Sequence, residues 1–255
     1  MRVLVVGLGK MGRLHAAALG RSGSTTGTVD VAGHADFESI TDALEHDWDA
    51  AVIATPIGTL WGAAMLTLDA RIPTLVEKPG SATAEQARAI AEFSEERETM
   101  LTVGWIERYN PAVTAVRSAL GELGDPVVVE SRRFGPTRGV NPTIDLAVHD
   151  IDLANFLEIS APHHIAAEDL PHRKERSLIV NCAYGAVEAD LRRHTVHVWR
   201  NGDEHELPVM PRDALQDEQA AFLVAAAAGR PAPCPMSTSV SVLRTVEGIR
   251  QRVAA

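Results

Sequence analysis

Three side chains within residues 143–153 can exchange protons or hold a polar substrate: Asp145, His149 and Asp152. In a helix, positions i, i+4 and i+7 share one face, so the spacing predicts that these three groups lie side by side. Aliphatic residues of the same segment form a neighbouring stripe that packs on a core, namely Ile144, Val148 and Ile151. An acid and an imidazole one turn apart, beside such a stripe, predict the wall of a cleft.

A glycine-rich turn near the start of the chain predicts a dinucleotide site. Residues 7–12 read Gly-Leu-Gly-Lys-Met-Gly, after a strand-like run (Val3–Val6) and before a helical pattern (Met11–Leu19). The first glycine permits a tight turn, the second lets a pyrophosphate approach the backbone, and the third allows close packing of helix on strand. The N–H groups at the helix start then face the anion. The candidate cofactor-binding residues are Gly7, Gly9, Lys10, Met11 and Gly12; the alternative is a purely structural turn.

An acid follows the next predicted strand, Thr26–Val29. This fold uses an acid at that position to bind the adenosine ribose hydroxyls, which makes Asp30 a candidate cofactor ligand rather than a plain turn residue. From Asp30 through Ala70 the sequence contains no lysine or arginine. A 2′-phosphate would therefore meet a carboxylate and no cation close in sequence, so NAD is favoured over NADP.

Strand and helix patterns alternate through the N-terminal part of the chain. Further strands are predicted at Ala50–Ala54, Pro73–Val76 and Met100–Val103, with a helix over 83–97 capped by Thr83. Residues 31–36 are predicted as a loop and 37–46 as a helix. The alternation indicates a parallel sheet with helices on both faces, which we expect to form a Rossmann dinucleotide-binding domain over residues 1–122.

The pattern changes in the second part of the chain. Short β-rich runs follow one another closely at 127–133, 177–184, 187–192 and 195–200, and Asn201-Gly202-Asp203 predicts a hairpin turn. Helices are predicted from Leu215 onwards, interrupted by prolines at 231, 233 and 235. The expected fold is therefore α/β, with a second α+β domain over residues 123–255 that has an open, mostly antiparallel sheet.

Composition restricts the class of partner and compartment. The net charge of -10 argues against binding to nucleic acid or to an anionic membrane surface. Two basic clusters, Arg132, Arg133 and Arg138, and Arg173, Lys174 and Arg176, are predicted as solvated faces. A signal peptide is not expected, because the apolar run at Val3–Val6 is short and stops at glycines, and no run of about 18 apolar residues occurs in the sequence. Two distant cysteines without Cys-x-x-Cys spacing are expected to be buried thiols. A cytoplasmic protein is expected.

Two further motifs lead to a family resemblance. Ala-Thr-Pro ends at Pro56 and Glu-Lys-Pro ends at Pro79, each directly after an apolar strand, and Glu-Arg-Tyr-Asn-Pro ends at Pro111. Together with the glycine turn and the Asp-x-x-x-His run at 145–149, these motifs resemble the Gfo/Idh/MocA oxidoreductase family over nearly the whole chain. The spelling is most similar to UDP-N-acetylglucosamine 3-dehydrogenases and related nucleotide-sugar or aminosugar dehydrogenases.

The resemblance implies roles for individual residues. Lys78 matches the family's catalytic lysine, and Asp145 and His149 match the aspartate and histidine of its substrate cleft. Oxidation of a secondary alcohol needs a base for the hydroxyl proton, which a neutral imidazole supplies, and a cation that stabilises a developing alkoxide. Thr55, Pro56, Glu77 and Lys78 are expected to bind the cofactor, and Lys78, Arg108, Asp145 and His149 the substrate.

The expected protein is thus an NAD-dependent dehydrogenase that interconverts a secondary hydroxyl and a ketone on a sugar-like substrate, in a cleft between the domains. By resemblance it is also expected to be a homo-oligomer that associates through its C-terminal sheet. The alternatives are an oxidoreductase acting on an imine or a cyclic polyol such as an inositol, and a non-catalytic NAD-binding sensor. No metal site is expected, because His149 has no second histidine at ligand spacing and His163-His164 falls in a predicted loop.

Overall fold

The computed structural model describes residues 1–137 and 139–254, with side chains through Arg252. Arg138, one of the arginines predicted on a solvated face, lies outside the described residues. The chain divides into two compact units, Met1–Trp105 with Leu215–Ala255, and Ile106–Ala214. This division differs from the one predicted from the sequence, which placed the boundary at residue 122 and assigned the C-terminal helices to the second domain.

The first unit contains a parallel five-stranded sheet in the order β2-β1-β3-β4-β5, as the strand and helix patterns predicted. The central strands β1 and β3 are nearly continuous apolar runs, since a parallel sheet covered on both faces buries the side chains of its central strands; all four residues of β3 are buried. The strands are β1 (Arg2–Val6), β2 (Thr25–Val29), β3 (Ala50–Ile53), β4 (Thr74–Glu77) and β5 (Leu101–Gly104), and the intervening helices are α1 (Lys10–Arg21), α2 (Ile40–Ala43), α3 (Ile57–Asp69) and α4 (Ala84–Glu96).

The last two helices, α7 (Ala214–Ala227) and α8 (Met236–Ala254), belong almost entirely to the first unit. Phe222 of α7 is fully buried in the core cluster that contains Val3 and Val52. Before α8 the chain pairs with β5, because the Thr102 hydroxyl and the Val103 N–H both donate to the Cys234 carbonyl. Burial of these apolar helix faces against the first unit is the physical reason for the corrected division.

The second unit contains a six-stranded sheet in the order β11-β10-β9-β8-β6-β7. Only the β6–β7 pair is parallel among its described strands, which confirms the prediction of a mostly antiparallel sheet. The predicted hairpin joins β10 to β11, with Asn201 and Gly202 at positive φ. The elements are α5 (Pro111–Leu123), β6 (Pro126–Gly135), α6 (Val148–Phe156), β7 (His163–Asp169), β8 (Glu175–Cys182), β9 (Gly185–Asp190), β10 (Thr195–Arg200) and β11 (Asp203–Leu207).

Two local predictions were wrong. The helix predicted over 37–46 is reduced to the single turn α2, because Phe37 instead forms an isolated bridge with Val29 and its ring contacts the rings of His46 and Trp48. The predicted loop at His163-His164 is the start of β7, which pairs in parallel with β6. That strand has few β-branched residues, so its residue types indicate a strand only weakly.

Residues 143–153, which carry Asp145, His149 and Asp152, do not form one regular helix. Residues Thr143–Ala147 form a π-helical turn, and α6 begins only at Val148. Each hydrogen bond of a π turn spans five residues rather than the four of an α-helix, so Asp145 is displaced from the face that an α-helix would give it relative to His149. Val148 and Ile151 are buried as the apolar stripe predicted, whereas Ile144 is only half-buried.

Candidate functional site

The turn between β1 and α1 requires glycine at two positions for reasons internal to the fold. Gly7 has a φ of +90°, and a Cβ added to it would lie 2.8 Å from the Ala54 carbonyl oxygen. A Cβ on Gly12 would lie only 1.7 Å from the Gly7 carbonyl oxygen, so helix α1 approaches the turn too closely for any side chain. These are the roles that the motif assigns to its first and third glycines.

Gly9 differs from these two glycines, because a Cβ added there would meet no protein atom within 4 Å. Nothing in the packing of the fold therefore requires glycine at this position. Gly9 is the N-cap of the 12-residue helix α1, no side chain caps that end, and the first turn contains no acidic residue. The backbone N–H groups of Lys10 and Met11 thus lie at a helix N-terminus that is open to a pyrophosphate. The residues of this turn therefore fit a dinucleotide.

Asp30 lies immediately after β2 and faces the same turn. Its carboxylate accepts hydrogen bonds from the backbone N–H of Ala32 at 2.8 Å and of Leu8 at 2.5 Å. These two bonds lower the pKa of Asp30, and the nearby charge of Arg13 lowers it further. An ionised carboxylate has about four acceptor positions, so two remain for ribose hydroxyls. Arg13 of α1 is therefore a cation near Asp30 that lies outside the cation-free segment of residues 30–70.

The carboxyl end of β3 provides Thr55 and Pro56. Pro56 is the N-cap residue of α3, and the Thr55 hydroxyl oxygen is buried without a hydrogen-bond partner among the described residues. A Cβ on Gly7 would lie 3.0 Å from the Thr55 backbone nitrogen, which places this residue next to the glycine turn. A buried polar atom that the fold itself leaves without a partner is consistent with a ligand contact.

The carboxyl end of β4 carries Glu77 and the half-buried Lys78. Glu77 is buried and accepts hydrogen bonds from the imidazole Nε2 of His15 at 2.8 Å and from the backbone N–H of Lys78 at 3.2 Å. The Glu77 side chain therefore anchors the backbone from which the lysine side chain extends. Because parallel strands end at the same edge of their sheet, the first unit brings together the predicted cofactor residues from β1, β2, β3 and β4.

In the second unit, Asp145 and His149 lie on consecutive turns and both are half-buried. The next two acids of α6 are fully buried and each receives an arginine fork. Asp150 accepts from Arg133 Nε at 2.9 Å and Nη2 at 3.0 Å, and Asp152 accepts from Arg108 Nε at 2.8 Å and Nη2 at 2.5 Å. The predicted substrate ligand Arg108 is thus held by an acid three residues after His149.

Arg133 belongs to a buried charge network rather than to the solvated face predicted for it. Its Nη1 donates to Glu107 Oε1 at 2.8 Å, and the same oxygen accepts from Arg176 at 3.0 Å. The two arginines overcome desolvation and lower the pKa of Glu107, whereas desolvation outweighs the single arginine fork and raises the pKa of Asp150. Burial likewise raises the pKa of Asp152 against the effect of Arg108.

A buried polar group in the first unit was not predicted from the sequence. His15 of α1, Glu77 of β4 and Glu218 of α7 bring potential ligand atoms within 4.8 Å of one another, and Gln219 contacts His15. Glu218 and Gln219 are acidic and amide residues on an otherwise apolar helix face, which was the available signal. Within residues 1–137 and 139–254, none of the helices combines the length and the apolar character that a membrane span requires.

Comparison with known proteins gives one family match. Residues 28–105 match the model of the oxidoreductase family with an NAD-binding Rossmann fold, named for Gfo, Idh and MocA. The whole chain is 26% identical to UDP-N-acetylglucosamine 3-dehydrogenase of Acidithiobacillus ferrooxidans, over 98% of that protein. The chain is also 30% identical to an inositol 2-dehydrogenase of Rhizobium meliloti, over 66% of this chain and 58% of that protein.

Solved structures give a consistent fold. A crystallographic chain of UDP-N-acetylglucosamine 3-dehydrogenase from Acidithiobacillus ferrooxidans superposes with a TM-score of 0.88 at 25% identity, covering 98% of this chain and 96% of that one. The similarity therefore spans both compact units and the parallel and antiparallel sheets described above.

Proposed function

Because the chain belongs to the Gfo/Idh/MocA family of NAD-binding oxidoreductases, we propose that it interconverts a secondary hydroxyl and a ketone on a sugar or nucleotide sugar. The observation that carries the proposal is the turn at Gly9, where the fold needs no glycine but an approaching pyrophosphate does. The full-length similarity to UDP-N-acetylglucosamine 3-dehydrogenase supports C3 of an aminosugar nucleotide as the reacting position.

NAD is the proposed cofactor. The ionised Asp30 beside the turn favours ribose hydroxyls and opposes a 2′-phosphate by like-charge repulsion, while Arg13 is a cation that could offset part of that repulsion. We expect kcat/KM with NAD to exceed kcat/KM with NADP, and Asp30→Asn to narrow the difference. Equal efficiency with NADP in the unaltered protein would refute the assignment. A matched control is Asp42→Asn, which changes an exposed acid elsewhere in the same unit.

The catalytic roles are proposed residue by residue. A bound nicotinamide accepts or supplies the hydride. His149 takes the hydroxyl proton as the hydride leaves, Lys78 stabilises the developing alkoxide charge, and Asp145 orients the imidazole or bonds the sugar. The support for Lys78 is its fixed backbone at the end of β4, and the support for His149 is the pair of arginine forks that hold α6.

Alanine replacement tests these roles. Lys78→Ala should lower kcat by at least about 100-fold, as loss of a charge-stabilising or proton-transfer group does, and change the Kd for NAD little. Lys174→Ala, which removes an exposed lysine of the second unit, is the control and should retain activity. A double-mutant cycle with His149→Ala should be strongly non-additive because both groups act in one step. Unchanged turnover in Lys78→Ala contradicts the assigned role.

The substrate class needs a direct assay. The protein is incubated with NAD and UDP-N-acetylglucosamine, other UDP-aminosugars, inositols or simple sugars, and NADH absorbance is followed. Turnover confined to UDP-aminosugars supports the proposal. The similarity to inositol 2-dehydrogenase favours a cyclic polyol as the second candidate, which turnover confined to inositols would select. Binding of NAD without turnover of any substrate would instead support a sensor.

We further propose a cytoplasmic homo-oligomer that associates through the six-stranded sheet of the second unit. The support for the oligomer is the family resemblance alone, because the corresponding sheet often packs against another subunit in that family. Sedimentation of the purified chain measures the oligomeric state, and fractionation of expressing cells measures the compartment. A monomer at all concentrations would contradict the first expectation, and recovery outside the cytoplasm the second.

A further inference from the structure

Four buried polar residues of the first unit form a cluster that hydride transfer does not use directly. His15 comes from α1, Glu77 from the end of β4, and Glu218 and Gln219 from α7. His15 is fully buried, and the other three are at most 7% exposed. The helix that begins at the glycine turn, the strand that ends at Lys78 and a C-terminal helix therefore meet at one polar group.

The tautomer of His15 follows from the Gln219 amide. Gln219 Nε2 lies 3.1 Å from the His15 carbonyl oxygen, which can only accept, so the NH2 side of the amide must face it. The same NH2 group lies 2.9 Å from His15 Nδ1, which must therefore accept as well. The imidazole is then neutral with its proton on Nε2, and it donates to Glu77 Oε1 at 2.8 Å.

Glu218 is in a different position from Glu77. Both of its carboxyl oxygens are buried, and neither has a hydrogen-bond partner among the described residues. A ligand atom of Glu218 lies within 4.8 Å of those of Glu77 and His15, so its close neighbours include one carboxyl and one neutral imidazole. A buried carboxylate without a donor or a cation is very unfavourable, and a second negative charge nearby adds repulsion.

We propose that Glu218 is a positioning residue. Its carboxyl group holds a proton beside Glu77 and thereby preserves the hydrogen bond from the backbone N–H of Lys78 to the Glu77 side chain. Burial and the charge of Glu77 raise the pKa of Glu218, in the direction that this arrangement requires. An ionised Glu218 would repel Glu77 and loosen the end of β4. The role toward Lys78 rests on the proposed function, whereas the protonation of Glu218 does not.

A metal ion is the competing occupant of this cluster, since one imidazole and two carboxylates are suitable ligands. Metal binding at His15 Nε2 would move the imidazole proton to Nδ1, where it would face the NH2 group of Gln219. Turning the amide to accept that proton would place its oxygen against the His15 carbonyl at about the present 3.1 Å. The geometry therefore favours a proton over a metal.

Infrared spectroscopy tests the proton directly and needs no substrate. The full-length protein at neutral pH should show the C=O stretch of an un-ionised carboxyl group, and Glu218→Gln should lose it with no change in fold. Glu92→Gln, which replaces a glutamate of α4 remote from this cluster in the sequence, is the control and should leave the band in place. Absence of the band in the unaltered protein, or its persistence in Glu218→Gln, overturns the inference. So does one equivalent of tightly bound metal by mass spectrometry that Glu218→Gln abolishes.

Thermal stability gives an independent measurement. A carboxyl whose folded pKa is raised contributes stability below its unfolded pKa and loses it as pH rises through the folded pKa. The ordinary pKa of a glutamate is 4.5, so above that pH the Tm of the unaltered protein should fall relative to the Tm of Glu218→Gln. The expected fall is about 3 °C per pH unit until Glu218 ionises. A constant difference in Tm across this range contradicts the inference.

Turnover provides the readout for positioning. In the unaltered enzyme kcat should fall at alkaline pH while KM for NAD stays constant, and in Glu218→Gln this fall should move to higher pH. Identical alkaline limbs in both proteins would refute the positioning role. If no substrate is turned over, the proposed function fails, but the infrared band and the Tm difference still decide whether Glu218 holds the proton.

Discussion

Replacement of Asp150 by asparagine should destabilise the second unit strongly. Asp150 accepts two charge-assisted bonds from Arg133, at 2.9 and 3.0 Å, and both residues are 1% exposed. The asparagine side chain would offer one acceptor oxygen and no charge. Among the described residues, Arg133 would then keep one carboxylate partner, Glu107, which it already shares with Arg176. Breaking a buried pair by removing one partner costs about 3–5 kcal/mol. Because desolvation already opposes the charged form of Asp150, we expect the lower end, about 3 kcal/mol.

Urea unfolding followed by circular dichroism measures the loss, and hydrogen exchange of peptides from residues 106–214 locates it in the second unit. The matched control is Glu122→Gln, which breaks the pair of Glu122 with Arg200 at 3.0 Å, where the side chains are 74% and 48% exposed. An exposed pair contributes at most about 1 kcal/mol. If Asp150→Asn lowers the free energy of unfolding by no more than Glu122→Gln does, the buried network does not stabilise α6 and therefore does not fix the position of His149.

Two further outcomes follow from the geometry. Gly9→Ala should fold normally, because its Cβ meets no protein atom, but should bind NAD at least tenfold more weakly, because the Cβ would stand where the pyrophosphate approaches. Gly12→Ala should lower Tm, because its Cβ would lie 1.7 Å from a carbonyl oxygen. Calorimetry measures both the affinity and the Tm, and normal NAD affinity in Gly9→Ala would argue against the phosphate site. Burial, and to a lesser extent His164, lower the pKa of His163 to about 4, so stability should be lost as pH falls from 6.5 towards 4. Allowing for solvent screening, the loss is about 1–2 kcal/mol, and His163→Gln should abolish this pH dependence in urea unfolding.

The parallel sheet was predictable because its strands carry their own signal. In β1 and β3 nearly every residue is aliphatic and buried, so the local sequence and the final environment agree. The glycine turn was predictable for the same reason, since strand, turn and helix are contiguous. The packing of α7 against the first unit could not be predicted. The contact of Gln219 with His15 joins residues 204 positions apart, and an alanine-rich helix has little amphipathic pattern to indicate its partner.

The π-helical turn before α6 shows a different limit. An α-helix and a π turn use the same residue types, and one shifted hydrogen bond decides between them, so the spacing of Asp145 and His149 could not specify their relative direction. The hydrogen bonds of Asp150 and Asp152 come from arginines in distant segments. Sequence spacing identified a segment rich in acids and a histidine, but only the tertiary contacts separate the half-buried groups from those occupied by Arg133 and Arg108.

The two buried networks differ in how the negative charge of their carboxylates is neutralised. In the second unit Glu107 and Asp150 are balanced by Arg133 and Arg176, so both acids bond as anions and the formal charge is zero. In the first unit Glu77 bonds to a neutral imidazole, and neither carboxyl oxygen of Glu218 meets a hydrogen-bond donor among the described residues. A buried charge that no donor or cation balances must be removed by a proton, since desolvation acts on both networks alike. The same residue type is therefore a structural anion in the network beside α6 and a proton-holding acid in the cluster that anchors Lys78.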